Sequence, residues 1–484
     1  MAHLAARPPS RRPPTRTDAR RPRRLAGLGL AAAAGLAVLG FGLVQAVGGR
    51  PDAAPTGSGG PSVAAATGSA AASTGPDGRG AGGSPGSSAP SASASPPVAV
   101  DPVAARAARL QATLDRLRVK LAIPGLSATI LLPDGTSWTG VGGLAVVASQ
   151  TPVTPETAFA FASVSKTFTS AVVLELVDEG RIHLTDRAAD LLPGLAFRID
   201  RRITVAMLLN HTSGLADYFL NPKIDGPLRA RPSDAWPVTR TLAYVGRALS
   251  PPGVAWHYSN TNYLLLGLIV ERVTARRLAD AIRTRLLEPT GLGTIWFQAV
   301  ETSRAPLADG YRFLGTKRTA RPIDLGDGSG VAPFRSVITA AGGAGSLAGT
   351  SADLARWGRA LYGGDVLGPQ GTALLLSGFT KTTGYLPGVA YGFGIQALTI
   401  DGHPSLGHSG RVLGFRSAIR HFPIDGITIA VLTNQSRADP GLIVRALLAV
   451  VAPPPVVVCP TCPPGPGSSS DPSASLPPAS PSTP

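Results

Sequence analysis

Cysteine is nearly absent from this chain of 484 residues. There are two, Cys459 and Cys462, in a Cys-Pro-Thr-Cys run near the end. Zinc would need two further ligands close by, and a thioredoxin-type motif would need a strand–helix–strand setting, so neither chemistry is supported. A small local disulfide, or no functional role, remains. Histidine is also scarce, at seven, and shows no His-Glu-x-x-His or comparable metal spacing, so the expectation is a mechanism without metal or cofactor. Acidic residues are few, 29 against 45 Lys and Arg, for a formal net charge of +16. No Lys/Arg stripe interleaved with aromatics accompanies that excess, so nucleic acid is not an expected partner. The charge reads instead as affinity for anionic wall polymers or lipid headgroups.

What is present divides the chain into unequal parts. Residues 1–24 hold eight arginines against Asp18, and residues 25–49 then run with Gln45 as the only strongly polar side chain. That run is longer than the ~7–15 residues of a signal-peptide core and reaches the ~20 needed to cross a bilayer as a helix. A transmembrane anchor is expected, with a cleaved signal as the alternative. The arginines in front predict a cytoplasmic N-terminus and everything after residue 50 on the far side, in a cell-membrane or secreted protein. Residues 50–100 and 453–484 are rich in Gly, Ser, Ala, Pro and Thr without an apolar period. Such segments bury too little surface to offset their ordering entropy and read as a disordered linker and tail. One segment, 101–452, is able to build a core, and it suits a large domain of two lobes.

Within it, residues 102–120 show helical periodicity, and two short runs around Pro133-Asp134-Gly135 predict a hairpin. The middle, about 184–300, is rich in helical patterns broken by Gly and Pro. Strand-like runs return at YGFGIQALTI, FRSAIRHF and GITIAVLTN, and PGLIVRALLAVV reads as a closing helix. Strands at both ends of a helical middle predict a sheet built from distant segments, with a second lobe inserted between them.

The stretch FASVSKTFTSAVVLELVDEG, residues 161–180, carries the chemistry. From residue 164 to 177 it is apolar almost all round, the mark of a buried helix. A lysine in the first turns of such a helix is desolvated, which favours the neutral amine and makes Lys166 a candidate base near neutral pH. Ser163, three residues before it, lies on its face. Ser165 points elsewhere, and Ser170 sits deeper in the helix, away from the N-terminal amides that stabilise an oxyanion. Ser163 is thus the candidate nucleophile. Two further motifs, Tyr258-Ser259-Asn260 and His408-Ser409-Gly410, each have an ordinary explanation alone, a helix cap and a turn.

In this order and spacing, Ser163-x-x-Lys166, Tyr258-Ser259-Asn260 and His408-Ser409-Gly410 resemble the three motifs of the serine β-lactamase and penicillin-binding protein superfamily. The spacing is similar to that of class C lactamases and their carboxypeptidase relatives. The stretches ITVAMLLNHTSGL, EPTGLGTI, AAGGAGSLAGTSADLARWGRAL and GHSGRVLGFRS look like this family too, so the resemblance spans residues 101–452. It implies an α/β (α+β) fold of the β-lactamase/transpeptidase type: an antiparallel sheet flanked by helices, an inserted helical lobe, and an active site in the cleft between them. By the same resemblance Ser163 attacks a carbonyl, while Lys166 and Tyr258 share the proton transfers, with Tyr258 a possible base beside a cation. Asn260 positions Lys166 and the substrate amide. His408, Ser409 and Gly410 bind substrate, with His408 on an edge strand supplying positive or hydrogen-bonding character for Tyr258 and for a substrate carboxylate. The backbone N–H groups of Ser163 and Arg411 form the oxyanion hole.

Histidine replaces the lysine of the commonest third motif, which weakens the expected grip on a carboxylate. The implied activity is a D-alanyl-D-alanine carboxypeptidase-type hydrolase acting on cell-wall peptides or β-lactam-like substrates. A β-lactamase or esterase with the same machinery is a second reading, and a non-catalytic module that holds or senses the wall is a third.

Overall fold

A computed structural model describes residues 101–313 and 321–452. The basic segment 1–24, the apolar run 25–49, the linker 50–100 and the tail 453–484 with Cys459 and Cys462 lie outside the described residues. Among those described, no helix is long and apolar enough to cross a membrane.

Helix α1 (Pro102–Lys120) starts where a cap is available: the Asp101 side chain accepts from the Val103 N–H at 2.9 Å, and proline opens the first turn. Strands β1 (Gly125–Leu131) and β2 (Ser137–Val146) follow as a hairpin turning through Gly135, whose φ of +82° suits glycine. A short β3 (Thr151–Pro152) leads to a tight turn at Ala162–Val164 and then to α2 (Ser165–Asp178). The helical middle includes α3 (Asn260–Thr274) and is followed by α4 (Ser351–Gly363). The chain then returns to the sheet with β4 (Thr380–Lys381), β5 (Ala390–Tyr391), β6 (Gln396–Ile400), β7 (His403–Val412), β8 (Phe415–Phe422) and β9 (Ile427–Thr433), and closes with α5 (Pro440–Val451).

These strands form one nine-stranded sheet in the order β3-β2-β1-β9-β8-β7-β6-β5-β4. The pairing of β1 with β9, Leu126 opposite Thr433, joins the two ends of the domain as the sequence pattern implies. The expected edge position of His408 is corrected. Strand β7 lies between β6 and β8, because YGFGIQALTI splits at Gly392–Gly394 into two strands and β4 adds a third beyond them. Gly394 makes that turn at φ +82°, and a Cβ there would lie 2.0 Å from Ser170 Oγ.

Each face of the sheet has its own cover. On one, Leu110 and Leu114 of α1 and Ile443 and Leu447 of α5 pack with Ala128, Ile130, Ile429 and Val431. On the other, Leu354 and Trp357 of α4 meet Ile419, Ala430 and Leu432, in a cluster that also includes the apolar residues of α2. Phe168 of α2 stacks on Trp357 at 4.0 Å, and Trp357 Nε1 donates to Thr167 Oγ1 at 2.9 Å. Burying each large apolar side chain contributes roughly 1.5–3 kcal/mol. Helix α2 is therefore held tightly on all sides, with Lys166 in its first turn.

Candidate active site

Ser163 is half-buried in the turn just ahead of α2. Ala162 before it has a φ of +49°, a conformation that a non-glycine residue keeps only when its surroundings fix it. Strands β7 and β8 help to fix it. Ser417 Oγ donates to the Phe161 carbonyl at 2.6 Å, and a Cβ on Gly410 would stand 2.2 Å from that same oxygen. Glycine at 410 thus lets the strand backbone run past Phe161 and on to Arg411.

Lys166 is fully buried. Its Nζ is 3.1 Å from Ser163 Oγ, 2.7 Å from Asn260 Oδ1 and 2.8 Å from the Ala344 carbonyl. The last two partners only accept, so the amine in its neutral form can give its two N–H groups to them and keep its lone pair for the Ser163 hydroxyl. Burial pushes the amine down to about 7, against the opposing pull of the Asp217 charge. The Asn260 amide is oriented by that same carboxylate, since Nδ2 donates to Asp217 Oδ2 at 2.8 Å. Ser165 and Ser170 have other partners. Ser165 Oγ accepts from the Leu347 N–H at 3.0 Å, and Ser170 Oγ lies 3.1 Å from Tyr263 Oη.

Tyr258 comes to the same place. Its phenol lies beside Ser163, and its ring centroid lies 5.1 Å from Lys166 Nζ. Burial, and then the Tyr385 phenol, push it well above the ordinary phenol range. Burial thus favours the protonated phenol. The two rings stack at 5.4 Å with 9° between their planes.

His408 sits in the same buried set. It is fully buried, and both ring nitrogens are engaged: Nδ1 is 2.7 Å from the Ser409 carbonyl and Nε2 is 2.9 Å from Tyr391 Oη. A carbonyl can only accept, so Nδ1 carries the hydrogen and Nε2 accepts from Tyr391. Burial and the nearby Lys166 hold the imidazole well below its ordinary range, so it is neutral. A positive charge beside Ser409 has another source. Ser409 stands opposite Ala418 in the β7–β8 register, with Arg411 opposite Arg416 and Gly407 opposite Arg420. Alternation places Ser409, Arg411, Arg416 and Arg420 on one face. Arg420 is 6% exposed; its Nη2 donates to Gln396 Oε1 at 2.6 Å, and its Nη1 has no protein partner. Gln396 Nε2 in turn reaches Tyr385 Oη at 2.6 Å and Ser409 Oγ at 3.3 Å.

Other polar residues of the site were not singled out in the sequence. Asp217, His211, Tyr385, Tyr391 and the Ala344 carbonyl are brought in by distant segments. His211, at φ +65°, is fully buried with its ring 4.4 Å from that of Tyr258. Its Nδ1 accepts from the Ser259 N–H at 3.3 Å and faces Asn262 Nδ2 at 3.0 Å, tying it to both sides of Asn260. A buried His or Asp in a loop leaves no periodic trace. Among the described residues no group of three or more His, Cys, Asp or Glu is placed to hold a metal ion.

A buried lysine facing a serine at the head of a helix, beside an antiparallel sheet, defines a serine β-lactamase/transpeptidase architecture. A family model described as Beta-lactamase matches residues 110–452, and the chain belongs to that family. It is 32% identical to penicillin-binding protein 4 of Amycolatopsis lactamdurans, over 68% of this chain and 85% of that protein. With a D-aminopeptidase of Gluconobacter oxydans it shares 27% identity, over 69% of this chain and 60% of that protein. The solved structure of a D-stereospecific amidohydrolase from Streptomyces aligns with a TM-score of 0.61 at 26% identity, covering 72% of this chain and 98% of that one.

Proposed function

We propose that the protein is an extracytoplasmic serine hydrolase of the D-alanyl-D-alanine carboxypeptidase type, working through an acyl-enzyme on cell-wall peptides. The observation that carries this reading is the fully buried Lys166 amine 3.1 Å from Ser163 Oγ. Lys166 takes the hydroxyl proton as Ser163 attacks the carbonyl, and the Tyr258 phenol gives a proton to the departing amine. Lys166 then reprotonates Tyr258, which restores both groups. Water attacks the ester in the second half-reaction, its proton passes to Lys166, and Ser163 leaves with a proton. Asn260 holds Lys166 in place, and the N–H groups of Ser163 and Arg411 receive the oxyanion. Residues 25–49 anchor the chain, and 101–452 is the catalytic domain.

The arginines on the Ser409 face support a substrate whose leaving group ends in a carboxylate. Ser409 and Gly410 line that end, and His408 serves as a neutral strut. The D-aminopeptidase and D-stereospecific amidohydrolase among the similar proteins support a D-configured residue beside the scissile bond. An esterase or amidase with the same machinery is favoured by one observation, the neutral His408.

A three-substrate comparison with the full-length protein decides between them: an N-acylated peptide ending in D-Ala-D-Ala, the same peptide as its C-terminal amide, and p-nitrophenyl acetate. The carboxypeptidase reading expects the free carboxylate to be preferred over the amide by tenfold or more in kcat/KM, about 1.4 kcal/mol or above. Arg420→Met should remove that preference mainly through KM and leave the p-nitrophenyl ester rate within about twofold. A preference for amide or ester over the free acid sinks the carboxypeptidase assignment.

A further inference from the structure

Asp217 stands before the short turn Tyr218–Leu220 with its carboxylate buried, 8% exposed. One oxygen accepts from the Phe219 N–H at 3.0 Å, and the other accepts from Asn260 Nδ2 at 2.8 Å. A carboxylate cannot donate, so this contact fixes the Asn260 amide with its NH2 toward Asp217 and its carbonyl toward Lys166, 2.7 Å away. Turned over, the amide would set a donor against the Lys166 N–H groups and divert the amine from Ser163.

The wider surroundings single Asp217 out. Lys166 is approached by Ser163, Asn260, the Ala344 carbonyl and the rings of Tyr258 and Tyr263, at 5.1 and 5.4 Å to their centroids. His211 and His408 act on it from further out and are held neutral by burial. Around Asp217 stand Tyr218 and Tyr258, phenols that burial keeps protonated, and Lys166 beyond the amide. Asp217 is thus the negative group of this buried set, and its counter-charge lies across one amide.

We propose that Asp217 is a positioning residue that orients the Asn260 amide and, through its charge, sets the pH at which Lys166 becomes a competent base for Ser163. The proposal rests on the reading of Lys166 as that base. A negative charge stabilises the ammonium, so removing it must favour the neutral amine and move the working range to lower pH.

The test follows acylation of the full-length protein by a fluorescent penicillin and by p-nitrophenyl acetate between about pH 5 and about 9, a range spanning the titration of a desolvated lysine. In Asp217→Asn the new side-chain carbonyl still accepts from Asn260 Nδ2, so the orientation is kept and only the charge is lost. The midpoint of the rising limb should fall by about one pH unit, the size expected for a charge acting across one residue in a partly buried site. Asp217→Glu keeps the charge on a longer arm. It should hold the midpoint within about 0.3 unit of wild type while slowing acylation about tenfold through displacement of the amide. If Asp217→Asn does not fold, the glutamate variant decides, and a midpoint displaced by a unit in either direction overturns the proposal. An Asp217→Asn protein that folds with an unmoved or raised midpoint, or that acylates at no pH, overturns it as well. If wild type acylates with neither probe, the reading of Lys166 itself fails, which is a different result.

Discussion

The two faces of the sheet are built from the same strands to different standards. Under α1 and α5, Leu114, Ile443 and Leu447 are fully buried against Ile429 and Val431. Toward the Ser163 turn the same sheet borders Lys166, Asp217, His211 and His408, ionisable groups taken out of water. The first arrangement gains from every buried methylene. The second accepts desolvation that its hydrogen bonds offset only in part. Both faces hold apolar cover, and the cleft side adds ionisable groups whose desolvation that cover must offset. Effects on folding and on chemistry should therefore separate between the two.

The largest separation is expected at Lys166. Lys166→Met should slow acylation by about a thousandfold or more, as loss of a general base acting on the nucleophile requires. Replacing a desolvated amine by an apolar chain of similar length should at the same time leave the melting temperature unchanged or raised. On the other face, Leu447→Ala should cost about 2–5 kcal/mol in urea unfolding while the acylation rate of the folded protein stays within about twofold. A Lys166→Met protein that melts much earlier than wild type would break the comparison.

A smaller effect follows from pH. Burial raises Asp217 to about 6, so the folded state holds its proton more tightly than the unfolded chain, and stability falls as pH rises from about 4 to about 6. Burial lowers Lys166 to about 7, so the unfolded chain binds the proton more tightly above that point, and stability is regained as pH rises from about 7 toward 10. The pair's contribution is least favourable between about 6 and about 7. A melting curve series should show a shallow minimum there, and Asp217→Asn should flatten its acid side.

A change confined to the chemistry is expected for Gly410→Ala. The added Cβ would meet the Phe161 carbonyl and Ser417 Oγ, each at 2.2 Å, so β7 must move away from the Ser163 turn. Acylation should drop by about ten- to a hundredfold with folding largely kept, because displacing an oxyanion donor by less than an ångström is enough. Stopped-flow measurement of the acylation rate beside a melting curve would show it.

Much of this was legible from residue patterns. The bounds of α1, the hairpin at Pro133-Asp134-Gly135 and α5 follow from periodicity and turn chemistry, and the facing of Ser163 and Lys166 follows from their spacing. The interior place of β7 was not legible, since the glycines of YGFGIQALTI allow either one strand or a hairpin. The hydrogen bonding of His408 depends on Tyr391, and the ring stacking of Tyr258 depends on Tyr385, both from the region following α4. Asp217 meets Asn260 only through the fold, 43 residues apart in the chain. Spacing reports neighbours along one element. It does not report what burial does to a proton.

The central claim is that Ser163 attacks with a neutral Lys166 at its side. It is tested most directly by the intact mass of the full-length protein after mixing with a penicillin, for wild type and Ser163→Ala in parallel. The account predicts a gain of one penicilloyl group on wild type and none on Ser163→Ala. An adduct that persists on Ser163→Ala, or a wild type that neither gains mass nor consumes the penicillin, would contradict it.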